Sequence, residues 1–130
     1  MKIINDFNEY EILDTGNGKK LEKWNDIILS RPDSQIIWPK TNNNLWQESD
    51  AVYIRSNKGG GNWKIEKSFF PSSWIISYNN YKFNLKLMNF KHTGLFPEQS
   101  YNWKFIENKL SNTNNKKILN LFGYTGAASV

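Results

Sequence analysis

The 130-residue chain contains no cysteine and a single histidine, His92. Disulfides, thiolate nucleophiles and cysteine-based zinc sites are excluded, no metal partner is expected, and one imidazole remains for acid–base chemistry. Alanine is nearly absent, with 3 residues against 19 Asn and 13 Ile, and lysine outnumbers arginine 15 to 2. That bias is the imprint of an AT-rich coding sequence and accounts for much of the lysine. No apolar run approaches the roughly 18–20 residues of a membrane helix, and Met1 to Asp6 lacks the charged-then-apolar layout of an export signal. A cytoplasmic protein with no membrane partner is expected. Acidic residues are scarce after residue 50: residues 1–50 carry 6 basic and 9 acidic groups, net −3, whereas residues 51–130 carry 11 and 3, net +8. Clustered cations release counterions from a phosphate backbone, so RNA is an expected partner, with an ordinary solvated lysine surface as the alternative.

What is present is enough to fold: 38% hydrophobic and 15% aromatic residues exclude a disordered tail. From Tyr10 to Leu87 short alternating segments are punctuated by turn residues, which predicts a β-rich module. Tyr10 and Ile12 lead into the turn Gly16-Asn17-Gly18, and Leu21 and Trp24 lead to Ile27-Ile28-Leu29. Gln35 to Trp38, between Pro32 and Pro39, forms another candidate strand. Ala51 to Ile54 and Trp63 to Ile65 flank the glycine-rich connection 58–62. The clearest hairpin joins Trp74, Ile76 and Tyr78 to Tyr81, Phe83, Leu85 and Leu87 through Asn79-Asn80, with Phe83 and Leu85 facing a core and Lys82 and Lys86 facing out. The tryptophans at 24, 38, 46, 63, 74 and 103 are read as core, one or two excepted.

At Pro97 the period changes. Proline suits the first helical position, Glu98 complements the positive helix end, and Gln99, Trp103, Ile106 and Leu110 share one face. Beyond a polar linker, Ile118 to Phe122 reads as a strand buried on both faces, followed by the turn Gly123-Tyr124-Thr125-Gly126 and a helix start at Ala127-Ala128-Ser129. Strand, glycine turn and small-residue helix start are the order by which Rossmann-type units bring backbone amides to a nucleotide cofactor. A P-loop lysine and a third fingerprint glycine are both missing, which disfavours a nucleoside triphosphate and a nicotinamide oxidoreductase.

The run LNLFGYTGAASV at 119–130 resembles the first cofactor motif of class I S-adenosylmethionine-dependent methyltransferases, in the Phe-x-Tyr-Thr-Gly variant of large-subunit ribosomal RNA methyltransferases and their bacterial relatives. Asn120 stands where the wider class has an acidic residue, and Phe122 and Tyr124 where it has glycines; Gly126 keeps the wider pattern. FKHTGLFPEQ at 90–99 is similar to the Lys-Thr-Gly-aromatic-aromatic-x-Asp-Gln-Arg element that precedes that motif. Thr93, Gly94, Phe96 and Gln99 match directly, while His92, Leu95, Glu98 and Ser100 depart from it. YEILDTGNGKKLE, ILSRP and IIWPK extend the likeness over nearly the whole chain.

The resemblance implies an α+β chain: a β-rich N-terminal module over 1–88, then, over 89–130, one helix and the first strand of an incomplete Rossmann-like α/β methyltransferase domain. It implies S-adenosyl-L-methionine as cofactor, held by Thr93, Gly94, Phe96, Glu98, Gln99, Asn120, Phe122, Tyr124, Thr125 and Gly126, and methyl transfer to a base of RNA. Glu98 is open to two roles, partner of the cofactor ammonium or complement of the helix dipole. Phe96, Phe122 and Tyr124 form either a pocket wall or core. Family members continue well past the equivalent of Val130, with ribose-gripping and substrate motifs further on, so the chain reads as an N-terminal fragment, inactive as it stands, in which no residue is named catalytic. A stand-alone β-rich nucleic-acid-binding module is the alternative.

Overall fold

The computed structural model describes residues 7–111 and 114–130. The fold is mixed α+β, mostly β with one α-helix. Strands β1 (Tyr10–Gly16), β2 (Lys19–Trp24), β3 (Ile27–Pro32), β4 (Ala51–Arg55) and β5 (Gly61–Ile65) form a sheet in that order, and β6 (Trp74–Tyr78) and β7 (Tyr81–Leu85) form a separate two-stranded sheet. All neighbours are antiparallel except β3 and β4, which run parallel with Leu29 opposite Ala51. A 3₁₀ turn at Leu45–Glu48 lies on the connection between those two strands.

Local chemistry explains the hairpins. Asn17 and Gly18 both take positive φ, 51° and 72°, which suits a tight turn whose twist matches the flanking strands. Asn25 (φ 57°) turns β2 into β3, and Asn79 (φ 51°) turns β6 into β7, so asparagine does the work usually given to glycine. The β6–β7 register sets Trp74 opposite Leu85 and Ile76 opposite Phe83. Leu85 is buried and Phe83 half-buried against the same core, as the alternation predicts.

That core gathers Phe7, Trp24, Leu29, Ala51, Trp74, Ile76, Tyr78, Leu85 and Leu95 between the two sheets. Aromatic rings meet edge-on through it, Tyr10 on Trp24 at 4.6 Å and Tyr78 on Trp103 at 5.6 Å between centroids. Trp24, Trp46 and Trp74 are buried, and only Trp38 among the six is about half exposed (49%). Leu95 comes from beyond residue 88, so packing against the β-rich part continues past that position.

Two expected strands are corrected. Gln35 to Trp38 forms no strand: Asn17 N–H donates to the Trp38 carbonyl (2.7 Å) and Gly18 N–H to the Ile36 carbonyl (2.8 Å). Its carbonyls are occupied by the tip of the β1–β2 hairpin, and the prolines on either side limit its reach as a ladder. Ile118 to Phe122 is likewise neither strand nor buried: Leu119 is 81% and Phe122 92% exposed. A strand exists only by pairing, and among the described residues none pairs with it. The segment after Gly126 holds turns and no helix, with Ser129 N–H donating to the Gly126 carbonyl, because a helical nucleus costs several dihedrals before its first bond is gained. The expected helix is present but begins as a 3₁₀ turn at Pro97–Gln99 and becomes α1 over Ser100–Leu110. Gln99 is exposed rather than on the packed face. No described helix is long and apolar enough to cross a membrane.

The β6–β7 register makes a direct prediction. Ile76→Ala, at a position wholly shielded from solvent, is expected to cost about 2–5 kcal/mol, whereas Ile75→Ala on the outer face (54% exposed) stays within about 0.5 kcal/mol. Urea denaturation of both variants checks the assignment of faces.

Candidate functional site

The site is built outward from a buried ion pair. Glu22, on β2 of the five-stranded sheet, has no solvent exposure. Arg31 Nε donates to its Oε2 (2.5 Å) and Arg31 Nη2 to its Oε1 (2.7 Å), a bidentate pair. Tyr10 Oη donates to Oε1 as well (2.6 Å), and the Lys20 ammonium lies 3.2 Å from it. Burial alone would push the Glu22 carboxyl up, but the Arg31 hydrogen bonds and the charges of Arg31 and Lys20 hold it below the usual carboxylate range. Burial and the adjacent carboxylate push the Tyr10 hydroxyl far above its ordinary value, so it stays a donor.

The pair reaches the loop that carries the 90–99 element. Arg31 Nη1 donates to the Lys91 carbonyl (3.1 Å), and Lys91 Nζ donates back to the Pro32 carbonyl (3.3 Å). From β5, the Trp63 indole N–H is shared between the carbonyls of Met88 (3.0 Å) and Phe90 (3.1 Å). The chain from Met88 to Lys91 is thus pinned at its carbonyls from both strands, and Thr93 and Gly94 follow in a buried position. Gly94 has φ +99°, which a residue with a side chain adopts only under strain.

The 119–130 motif meets that element here. Thr125 Oγ1 donates to the Gly94 carbonyl, and the rings of Phe96 and Tyr124 lie 5.1 Å apart. Thirty-one residues separate Gly94 from Thr125, yet both line a cleft of about 560 Å³ together with Thr93, Gly126 and strand β7. The Thr93 hydroxyl is buried with no hydrogen-bond partner among the described residues. Gly126, at φ +90°, has open space where a side chain would project. His92 packs against Phe96 at 5.3 Å between ring centroids; burial, and then the positive charges of Arg31 and Lys91, lower its basicity.

The remaining expected residues lie elsewhere. Asn120 and Phe122 line an adjoining, more apolar cleft of about 810 Å³ with Trp103, Ile106 and Leu110 of α1, which shares Tyr81, Phe83, Ala127 and Val130 with the first. Asn120 Nδ2 donates to Ser129 Oγ (2.8 Å). Glu98 and Gln99 sit exposed on the 3₁₀ turn, where Gln99 accepts from Asn102 (2.8 Å), and neither they nor Phe96 and Tyr124 line either of these two clefts. No group of three acidic or histidine side chains able to hold a metal occurs among the described residues.

Sequence reasoning missed Tyr10, Glu22, Arg31, Trp63 and Lys91 as supports of the loop. A signal existed for one of them. In the β1–β2–β3 register the residues directly opposite Glu22 are the apolar Ile12 and Leu29, and a charge set between apolar neighbours requires a partner.

The structure is similar to the crystal structure of the SAM-dependent methyltransferase from Agrobacterium tumefaciens, with a TM-score of 0.86 and 34% sequence identity over 95% of this chain and 40% of that one. The chain therefore has the fold of a part of that methyltransferase and spans well under half its length. No protein-family model matches the chain, and no match among curated proteins is found.

Arg31→Met leaves the Glu22 carboxylate buried without its main partner and is expected to cost about 3–5 kcal/mol in denaturant unfolding. Because folding depresses the Glu22 carboxyl, its contribution is full above the unfolded value near about 4.3 and is lost as pH falls through the folded value beneath it. Stability measured down the acid range is expected to fall more steeply for the unaltered chain than for Glu22→Gln.

Proposed function

We propose that the chain carries part of the cofactor site of an S-adenosylmethionine-dependent methyltransferase whose acceptor is a base of RNA. One observation carries this reading: the two motifs, far apart in sequence, are joined by the Thr125–Gly94 hydrogen bond at a cleft that both residues line, and by the Phe96–Tyr124 ring contact, which is not part of that lining. The likeness to a SAM-dependent methyltransferase supports it.

The residues present suit the cofactor. Thr93 offers a buried hydroxyl with its hydrogen-bonding capacity unused, and Gly94 and Gly126 leave room for close approach to their backbone. In this reading Thr93, Gly94, Thr125 and Gly126 hold the cofactor, while Phe96 and Tyr124, which do not line that cleft, brace the two motifs against each other. Asn120 and Phe122, on the second cleft, and Glu98 and Gln99, on the exposed turn, take no part in that arrangement of the described residues. S-adenosylmethionine supplies an electrophilic sulfonium methyl when bound. The chain's own contribution is to fix orientation, the larger part of catalysis when two reactants must meet in line. The division at residue 88 belongs to this reading, with 1–88 serving the acceptor and 89–130 opening the catalytic domain. So does a Rossmann-like surround, since Ile118 to Phe122 presents apolar side chains that parallel neighbours would cover.

The test is methyl transfer from radiolabelled S-adenosylmethionine to RNA by the product of the complete reading frame, alongside calorimetric titration of that product and of the 130-residue chain. Cofactor binding and RNA labelling by the complete product are expected, with Gly94→Val, which places a branched side chain at positive φ against Thr125, lowering cofactor affinity at least tenfold. A complete product that binds no S-adenosylmethionine contradicts the reading.

A further inference from the structure

We infer that Arg55 and Lys91 clamp a phosphate group at the end of the five-stranded sheet, where β4 runs into its connection to β5. Neither residue lines the two clefts, and the inference stands apart from the methyltransferase reading. Arginine is scarce in this chain, 2 residues among 17 basic ones. Arg31 is spent on Glu22 and on the Lys91 carbonyl. Arg55 is exposed, and its guanidinium forms no hydrogen bond or ion pair among the described residues. Its planar fork of donors is the group that binds a phosphate in bidentate fashion, which a lysine ammonium cannot do.

The strand registers bring a second cation beside it. Ala51, Tyr53 and Arg55 alternate along one face of β4, and Trp63, directly opposite Tyr53, donates to the carbonyls of Met88 and Phe90. Arg55 comes next on that face and so lies toward the segment that carries Lys91. From β3, parallel to β4 with Ser30 opposite Val52, the Pro32 carbonyl accepts from Lys91 Nζ (3.3 Å). The half-buried Lys91 ammonium thus has a carbonyl for a partner and forms no ion pair among the described residues.

Like charges are crowded here. Burial, and then Arg55 ahead of every other charge, lower the basicity of Lys91; Lys20 and Arg31 act in the same sense, and Asp33 opposes them. The acids at this corner are already committed or screened. Glu22 is buried and shared by Arg31, Lys20 and Tyr10, Asp33 accepts from the Gln35 N–H (3.2 Å), and Glu98, which acts on Arg31, is exposed. Arg55 and Lys91 therefore repel each other with no carboxylate bound between them, and an anion set there turns that repulsion into two attractions. A phosphate has oxygens for both, a pair for the guanidinium fork and a third for the ammonium. Access is open: past Arg55 the connection carries Lys58, Gly59 and Gly60, and no atom lies within 4 Å of where a side chain on either glycine would start.

Arg31 and Arg55 carry the guanidinium Nε–H groups of the chain, so each can be followed by its own resonance. The experiment titrates the isotopically labelled 130-residue chain with inorganic phosphate, at ionic strength held constant with chloride, and separately with a uridine-rich single-stranded oligonucleotide. Arg55 Nε–H and the Lys91 amide are expected to shift saturably while Arg31 Nε–H, locked on Glu22, stays in place. Read at the Lys91 amide, Arg55→Gln is expected to weaken binding about tenfold, the loss of one hydrogen-bonded charge. The remote pair Lys116→Gln/Lys117→Gln is expected to leave affinity within error. A shift at Arg55 with either anion upholds the site: the oligonucleotide alone assigns it to the phosphodiester of a nucleic acid, and inorganic phosphate assigns it to a small phosphate as well. Arg55 unmoved by both, or equal losses from the remote pair, overturns the inference, and either result leaves the methyltransferase reading intact.

Discussion

The bidentate pairing of Glu22 with Arg31 is the constraint on which the site's geometry depends. Two charges removed from water cost more than their attraction returns unless every remaining polar atom is satisfied. Tyr10 and Lys20 complete the carboxylate, and the guanidinium completes itself by reaching out of the sheet to the Lys91 carbonyl. The requirement to satisfy that last donor holds the loop of Thr93 and Gly94 at a fixed distance from β3. A fold need becomes a site coordinate.

A second carboxylate works in the same manner on the opposite side of the sheet's first hairpin. Asp14 follows a bulge in β1 and accepts from Thr15 N–H (2.8 Å), Thr41 Oγ1 (2.6 Å) and the Trp46 indole (2.7 Å). Those bonds, Thr41 first and Trp46 next, hold its carboxyl well below the usual range. The long connection between β3 and β4 is thereby folded onto the sheet without strand pairing of its own. Lys40 lies 3.9 Å over the Trp46 ring and covers the same corner.

Much of this was legible in the residues. The hairpins were, because asparagine and glycine at turn positions and strict alternation are both local signals, and the helix after Pro97 was for the same reason. Gln35 to Trp38 was not, because a β-branched run between prolines has a strand's composition whether or not an edge is available to it. Ile118 to Phe122 fails similarly: its apolar run describes an environment that the described residues do not supply. Glu22 and Arg31, nine positions apart, share no motif, and only the β2–β3 register brings them together. Of the expected site residues, Thr93, Gly94, Phe96, Tyr124, Thr125 and Gly126 converge, while Glu98, Gln99, Asn120 and Phe122 stand apart from them. Residues that contact the turn directly keep their motif spacing; the others depend on neighbours outside it.

The account's central claim is that the two motifs make one cofactor-binding surface, held in place from the sheet. Amide chemical shifts of the isotopically labelled protein during titration with S-adenosylmethionine test it residue by residue. The account predicts shifts concentrated at Thr93, Gly94, Tyr124, Thr125 and Gly126, with the β4–β5 connection around Lys58 to Gly60 unmoved. Saturable binding that shifts other amides while leaving Gly94 and Thr125 in place would contradict it.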